Sequence, residues 1–202
     1  TNSLIDRRSE YASEYLTSDK SITASRQNIS DYQSLIENSK TQQSTIAQER
    51  DALKQELANM LADKNSGITK GSQGYNEMVK EIQDLENQYD ELGMDIITYS
   101  NKISEEYVNM FNTVSQDYEN KLDMAEHLAT EYNNALELAE AKGLITTSGY
   151  YEQMQKIEQE KLNMYNQQAE AMNKALYEAI ASGEIEVGSQ AYYDMCNSIN
   201  QV

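Results

Sequence analysis

The sequence predicts an all-α protein of about four helices, folded as long antiparallel coiled-coil helical hairpins with short Gly-containing turns. Three observations predict it. Pro is absent from all 202 residues, so nothing forbids very long helices. Apolar residues recur at steps of three and four, the helical period. Seven of the eight Gly residues (67, 71, 74, 143, 149, 183 and 188) gather in or beside three short clusters, where helices stop and restart.

Composition supports thin seams over a thick core. Apolar content is 39% and mean hydropathy is −0.78, against an apolar share of ~45–50% in ordinary globules. Thirty-four acidic residues against 16 basic ones give a formal charge of −18. That charge repels phosphate backbones and anionic membrane surfaces and suits a well-solvated helical exterior. No apolar run approaches the ~20 residues of a membrane span. A single Cys, Cys196, excludes an internal disulfide framework and fits a small seam residue.

The first element is expected over residues 1–66, as one helix or two in series. With residue 29 as a heptad a position, the a set is Arg8, Tyr15, Ile22, Ile29, Ile36, Gln43, Arg50 and Leu57. The d set is Leu4, Tyr11, Ser18, Ser25, Tyr32, Ser39, Ile46, Leu53 and Met60. Five of the eight and six of the nine are apolar or Tyr, which is coiled-coil periodicity. The Ser and Gln interruptions mark a weak seam, and residues 17–25 are where two helices in series would part. Asp63–Gly67 then carries helix-stop signals.

A second long helix is expected over residues 67–142. Tyr75, Met78, Ile82, Leu85, Tyr89, Leu92, Ile96, Tyr99 and Ile103 form the cleanest seam in the chain. Beyond it Tyr107, Phe111, Val114, Tyr118, Leu122, Ala125, Ala129, Tyr132 and Leu136 include extra four-residue steps. Such stutters unwind a supercoil locally, so a bend near residues 100–107 or a restart after Ser100-Asn101 is expected. The third helix, within residues 143–183, carries Tyr151, Met154, Ile157, Leu162, Tyr165, Ala169, Met172, Leu176 and Ile180. A fourth starts within residues 184–202 and still runs at Val202. The chain also begins at Thr1 without Met, so it is expected to be cut from something longer.

These elements share a starting cassette. Gly71-Ser72-Gln73-Gly74-Tyr75-Asn76-Glu77-Met78 returns as Gly188-Ser189-Gln190-Ala191-Tyr192-Tyr193-Asp194-Met195, with a looser copy at Ser148–Met154. Ser-x-x-Tyr-x-x-Met reads as an N-cap followed by seam residues. Ser72, Ser148 and Ser189 are therefore expected to cap helices. Ser104–Met110 reads as a decayed copy inside a helix. Gly93 lies outside the junctions and has no role that the pattern explains.

Chemistry is sparse. The only His, His127, shares a helix face with Asp123 and Glu131. A metal site would need a ligand from another helix, so a charged solvent face is the expectation. No Cys–His or Ser–His pair is supported. Gly71-Ser72-Gln73-Gly74 lacks the Lys and Ser/Thr of a phosphate loop. Nine of the 15 Tyr residues (11, 15, 32, 75, 89, 99, 107, 118 and 132) fall on seam positions, where the ring is buried and the hydroxyl reaches water. The nine Met residues read as gap-fillers. No catalytic, cofactor-binding or metal-binding residue is expected, and no enzyme.

The unit Gly-x-Ile-x-x-Gly-Ser-x-Ala-Tyr-Tyr-Asp-Met-x-x-x-Ile-Asn of Gly183–Asn200 resembles the repeated segment of tail tape-measure proteins from phages and prophages of Gram-positive gut bacteria. Gly67–Leu85 is similar. The resemblance covers about 40 residues closely, extends over 135–202, and is compositional over 1–60. It implies a structural protein of the virion tail, assembled in the bacterial cytoplasm. Such a protein sets tail length and contacts tail-tube, tail-tip or baseplate proteins or further copies of itself. It implies no small-molecule substrate, no specific nucleic-acid binding, no membrane contact in this segment and no transferable site residue. The Gly-broken hairpins depart from a continuous rod. The other reading is a helical spacer or interaction module of a bacterial secreted or surface protein.

Overall fold

A computed structural model describes the backbone of residues 2–202 and the side chains from Asp19 onward. Four helices follow one another: α1 (Asn2–Ala62), α2 (Gln73–Ala141), α3 (Thr147–Ala181) and α4 (Gln190–Asn200). Among the described residues there is no strand. The fold class is all-α. The chain divides into two compact units, one of Asn28–Ile103 and one of Thr1–Gln27 with Ser104–Val202.

The helix α1 is continuous through residues 17–25, so of one helix or two in series it is one. The polar position there is satisfied across the seam. Ser25, a polar d residue, is buried, and its hydroxyl donates to the Glu106 carboxylate at 2.6 Å. A satisfied polar group costs little in a seam. From residue 19 to residue 60, all twelve a and d positions are at least partly withdrawn from solvent, and Ala47 is the sole addition. The phase read from the sequence is thus the phase of burial. Leu4, Arg8, Tyr11, Tyr15 and Ser18 lie outside the described side chains.

In the unit Asn28–Ile103, α1 and the first part of α2 run antiparallel. Tyr32 stacks on Tyr99 with centroids 6.1 Å apart, the Gln43 amide donates to the Tyr89 carbonyl at 2.8 Å, and Lys54 pairs with Glu86 at 2.6 Å. All nine expected seam residues of α2 from Tyr75 to Ile103 are at least half-buried. Gly93 now has a role. A Cβ there would stand 3.2 Å from the Gln43 amide nitrogen, so Gly93 leaves room for that amide to reach the Tyr89 carbonyl.

In the other unit, Phe111 of α2, Met172, Leu176 and Ala179 of α3, Ile185 of the last junction and Met195 of α4 form one buried cluster. The Arg26 guanidinium of α1 reaches Glu178 of α3 at 3.2 Å. The Tyr150 hydroxyl contacts Asn133 at 2.9 Å, tying the start of α3 to α2. The helix α2 does not restart at Ser100-Asn101; it is unbroken to Ala141. The Ser104 hydroxyl instead donates to the Glu184 carbonyl at 2.7 Å. Four expected seam or gap-filling residues stand exposed: Met94, Tyr132, Tyr151 and Leu162.

The caps follow the cassette in two cases of three. The Ser72 hydroxyl accepts from the Tyr75 N–H at 3.3 Å, and that of Ser189 from Tyr192 at 3.2 Å. The third helix is capped by Thr146, whose hydroxyl accepts from Gly149 at 3.1 Å, and not by Ser148. The preceding turn explains the shift. Gly143 (φ +70°) ends α2 with its N–H on Glu140 and the Leu144 N–H on Ala139, a Schellman closure. The other two junctions add a second left-handed glycine, Gly71 or Gly188, just before the cap. This one has none, so α3 begins earlier.

Thr146→Ala should therefore cost about 1 kcal/mol in urea unfolding and Ser148→Ala only a few tenths; the reverse order would refute the cap assignment. Gly93→Ala gives a second check. In a Gln43→Ala background it should stabilise by about 1 kcal/mol through helix propensity, and the native background should show little of that gain, as a double-mutant cycle would read.

Candidate functional site

What this chain offers a partner is built from apolar stripes and a few buried polar contacts. Between α2 and α3 lies an open groove of about 480 Å³. The four-residue steps of α2 bring Met124, Ala125, Leu128 and Ala129 to it, and α3 adds Ile157 and Met164. Lys121, Glu160, Lys161 and Tyr132 edge it. The lining is thioether and aliphatic, suited to apolar contact. Lys121 is held in place: its ammonium is 2.7 Å from Asp117 and 4.3 Å from the centre of the Tyr118 ring, a cation–π contact. Lys161 sits 3.7 Å from Glu158.

Asp117 is buried, and one of its carboxylate oxygens has no hydrogen-bond partner. His127 departs from the expected solvent face. It is half-buried and its Nε2 is enclosed without a partner, while Asp123 and Glu131 are exposed. The three do not converge, and among the described residues no group of three His, Cys, Asp or Glu could hold a metal ion. No described helix is long and apolar enough to cross a membrane. Cys196 is half-buried beside the α3–α4 cluster. A hydrogen bond between Tyr192 and Cys196 raises the Tyr192 phenol above its ordinary value.

Electrostatic tuning is confined to structural contacts. The Lys54 ammonium holds the Glu86 carboxyl below its usual value, chiefly through their hydrogen bond. Hydrogen bonding to Asp51 raises the Arg50 guanidinium. Burial pushes the Glu184 carboxyl up, and Ser104 partly offsets it. Burial likewise raises the Tyr150 phenol, with Glu137 and Glu140 adding to it. None of these groups lines the groove.

Sequence reasoning missed the polar contacts that fix pairing. Ser25–Glu106 joins residues 81 apart and Gln43–Tyr89 residues 46 apart. The available signal was their position: Ser25 and Gln43 break an otherwise apolar seam. No known protein family, curated protein or solved structure shows significant similarity to this chain.

Ser25→Ala should destabilise the protein by about 1.5–3 kcal/mol, because it removes a part-buried hydrogen bond to a carboxylate. Ser34→Ala should change stability by less than ~0.5 kcal/mol, since that exposed hydroxyl only returns to its own helix at Ser30. Equal effects in chemical denaturation would refute the role given to Ser25.

Proposed function

We propose that this chain is a structural coiled-coil segment of a phage tail tape-measure-like protein, acting as a length-setting scaffold in the virion tail. The observation that carries the reading is the uniform seam of α1. Twelve consecutive a and d positions are withdrawn from solvent, and several are polar. A seam of that kind serves length and pairing, because helix length is proportional to residue number. The recurrent Gly-Ser-x-x-Tyr-x-x-Met cassette adds support, since two of its copies start helices in the same manner. The acidic exterior, with formal charge −18, suits a lumen shared with DNA, which it would not bind.

On this reading the partners are tail-tube, tail-tip or baseplate proteins, or further copies of the chain, and assembly takes place in the bacterial cytoplasm. No reaction is assigned to it. The open apolar groove between α2 and α3 favours a second reading, a helical interaction module of a secreted or surface protein.

Electron microscopy of virions separates the two. Deleting Asn28–Ile103 from the full-length protein, with a Gly-containing turn joining Gln27 to Ser104, removes 76 residues (103 − 28 + 1). The tail should shorten by about 110 Å if they lie end to end as helix, or by about 50 Å if they lie as a hairpin. Tails of unchanged length would refute the ruler and leave the interaction module.

A further inference from the structure

The groove between α2 and α3 has two unlike ends. Both of its walls belong to one compact unit. The Tyr150 hydroxyl meets Asn133, and Phe111 shares a buried cluster with Met172, so the two helices run antiparallel. Lys161 stands eleven residues on from Tyr150, and Lys121 stands twelve back from Asn133. With the same rise per residue on each helix, the two lysines lie nearly level, and both line the groove. From that level Met124, Ala125, Leu128 and Ala129 of α2 and Ile157 of α3 lead away towards Tyr132. The apolar run is about 16 Å long, taking ~1.5 Å per residue from Lys121 to Tyr132.

The charge at the lysine end departs from that of the chain. Acidic residues outnumber basic ones 34 to 16, yet the groove is lined by two lysines and one acid, Glu160. Glu160 is exposed, whereas the lysine side chains are 27% and 26% exposed, their stems against the groove. The Lys121 ammonium is fixed by Asp117 and the Tyr118 ring. Lys161 is held loosely: Glu158 is 3.7 Å away with its own side chain 66% exposed, and such a pair is screened by water. Its ammonium can therefore take a second, better-placed carboxylate.

The volume, about 480 Å³, falls within the ~300–1,000 Å³ of small-ligand clefts, which are mostly apolar with a few placed polar groups. A cation would be repelled at the lysine end, and a neutral alkyl chain would use the apolar run alone. We infer that this groove binds a free single-chain carboxylate of the fatty-acid class. Its carboxylate rests on Lys161 beside Lys121, and its alkyl chain lies along Met124, Leu128 and Ile157. The inference does not depend on the tail-protein reading.

Calorimetric titration of the whole chain with dodecanoate, below its micelle-forming concentration, tests this. One saturable site is expected. Hexanoate should bind at least a hundredfold more weakly, since each buried CH₂ adds to affinity. Lys161→Glu should weaken dodecanoate at least tenfold. Lys174→Glu makes the same charge change at an exposed position outside the groove and should alter affinity by less than twofold. Circular dichroism checks that both variants keep the fold. Absence of a saturable site, equal losses in the two variants, or equal affinity for dodecyltrimethylammonium would overturn the assignment. So would flotation of the chain with phosphatidylglycerol vesicles that Lys161→Glu abolishes, because the groove would then take a membrane surface instead of a free acid.

Discussion

The constraint on which everything else depends is the narrowness of the seam. A chain with 39% apolar residues and a charge of −18 has little apolar surface to bury per helix turn. The helix α1 and the first part of α2 therefore each bury one narrow stripe, and polar residues inside it gain from partners across it. Ser25 finds the Glu106 carboxylate and Gln43 finds the Tyr89 carbonyl. Both bonds form in one register only. A uniform Leu or Ile seam would pair equally well after a slip of one heptad, and these polar contacts would be lost by such a slip. The polar interruptions that look like weakness in the sequence are the features that distinguish one pairing from another.

Junction geometry imposes the next constraint. All three junctions begin near a left-handed glycine (Gly67, Gly143, Gly183), and two add another before the cap (Gly71, Gly188). The number of residues between the first glycine and the cap sets the phase of the helix that follows. The junction after α2 has only Leu144 and Ile145 between Gly143 and Thr146. The helix α3 is thus capped two residues before the cassette's Ser, and Tyr150, not Tyr151, packs towards α2 through Asn133. Tyr151 is turned outward as a consequence.

This explains what could be read in advance. The phase of α1 was legible because a 3.5-residue repeat over many heptads leaves little freedom of choice. The caps at Ser72 and Ser189 were legible because glycine, hydroxyl and aromatic fall at fixed offsets. The cap at Thr146 was not, since Ser148 offered the better motif match and only the Schellman closure at Gly143 decides between them. The pairings of Ser25 and Gln43, and hence the reason for Gly93, depend on residues far along the chain. Exposure of Leu162 was illegible for a different reason: periodicity shows that a face is apolar but not whether anything covers it.

The second half of α2 shows how one helix meets two demands. Up to Ile103 its withdrawn positions form a stripe with one flank at Val79, Glu86, Gly93 and Ser100. From Ser104 to Leu122 they spread over much of the helix circumference. The stutters there move the apolar set round the helix, and the neighbours make use of it: Glu106 accepts from Ser25 of α1, Phe111 packs with α3 and α4, and Ser104 reaches the last junction at Glu184. The division between the two units falls between Ile103 and Ser104, where the seam changes phase without interruption of the backbone helix. A restart is therefore not required to change what a helix packs against; a shift in side-chain phase is sufficient. On α3, Met172 and Leu176 are buried while Tyr151 and Leu162 of the same face are exposed. What distinguishes its two halves is the neighbour supplied, which places the specificity of this fold in the sequence of junctions and caps more than in the seams themselves.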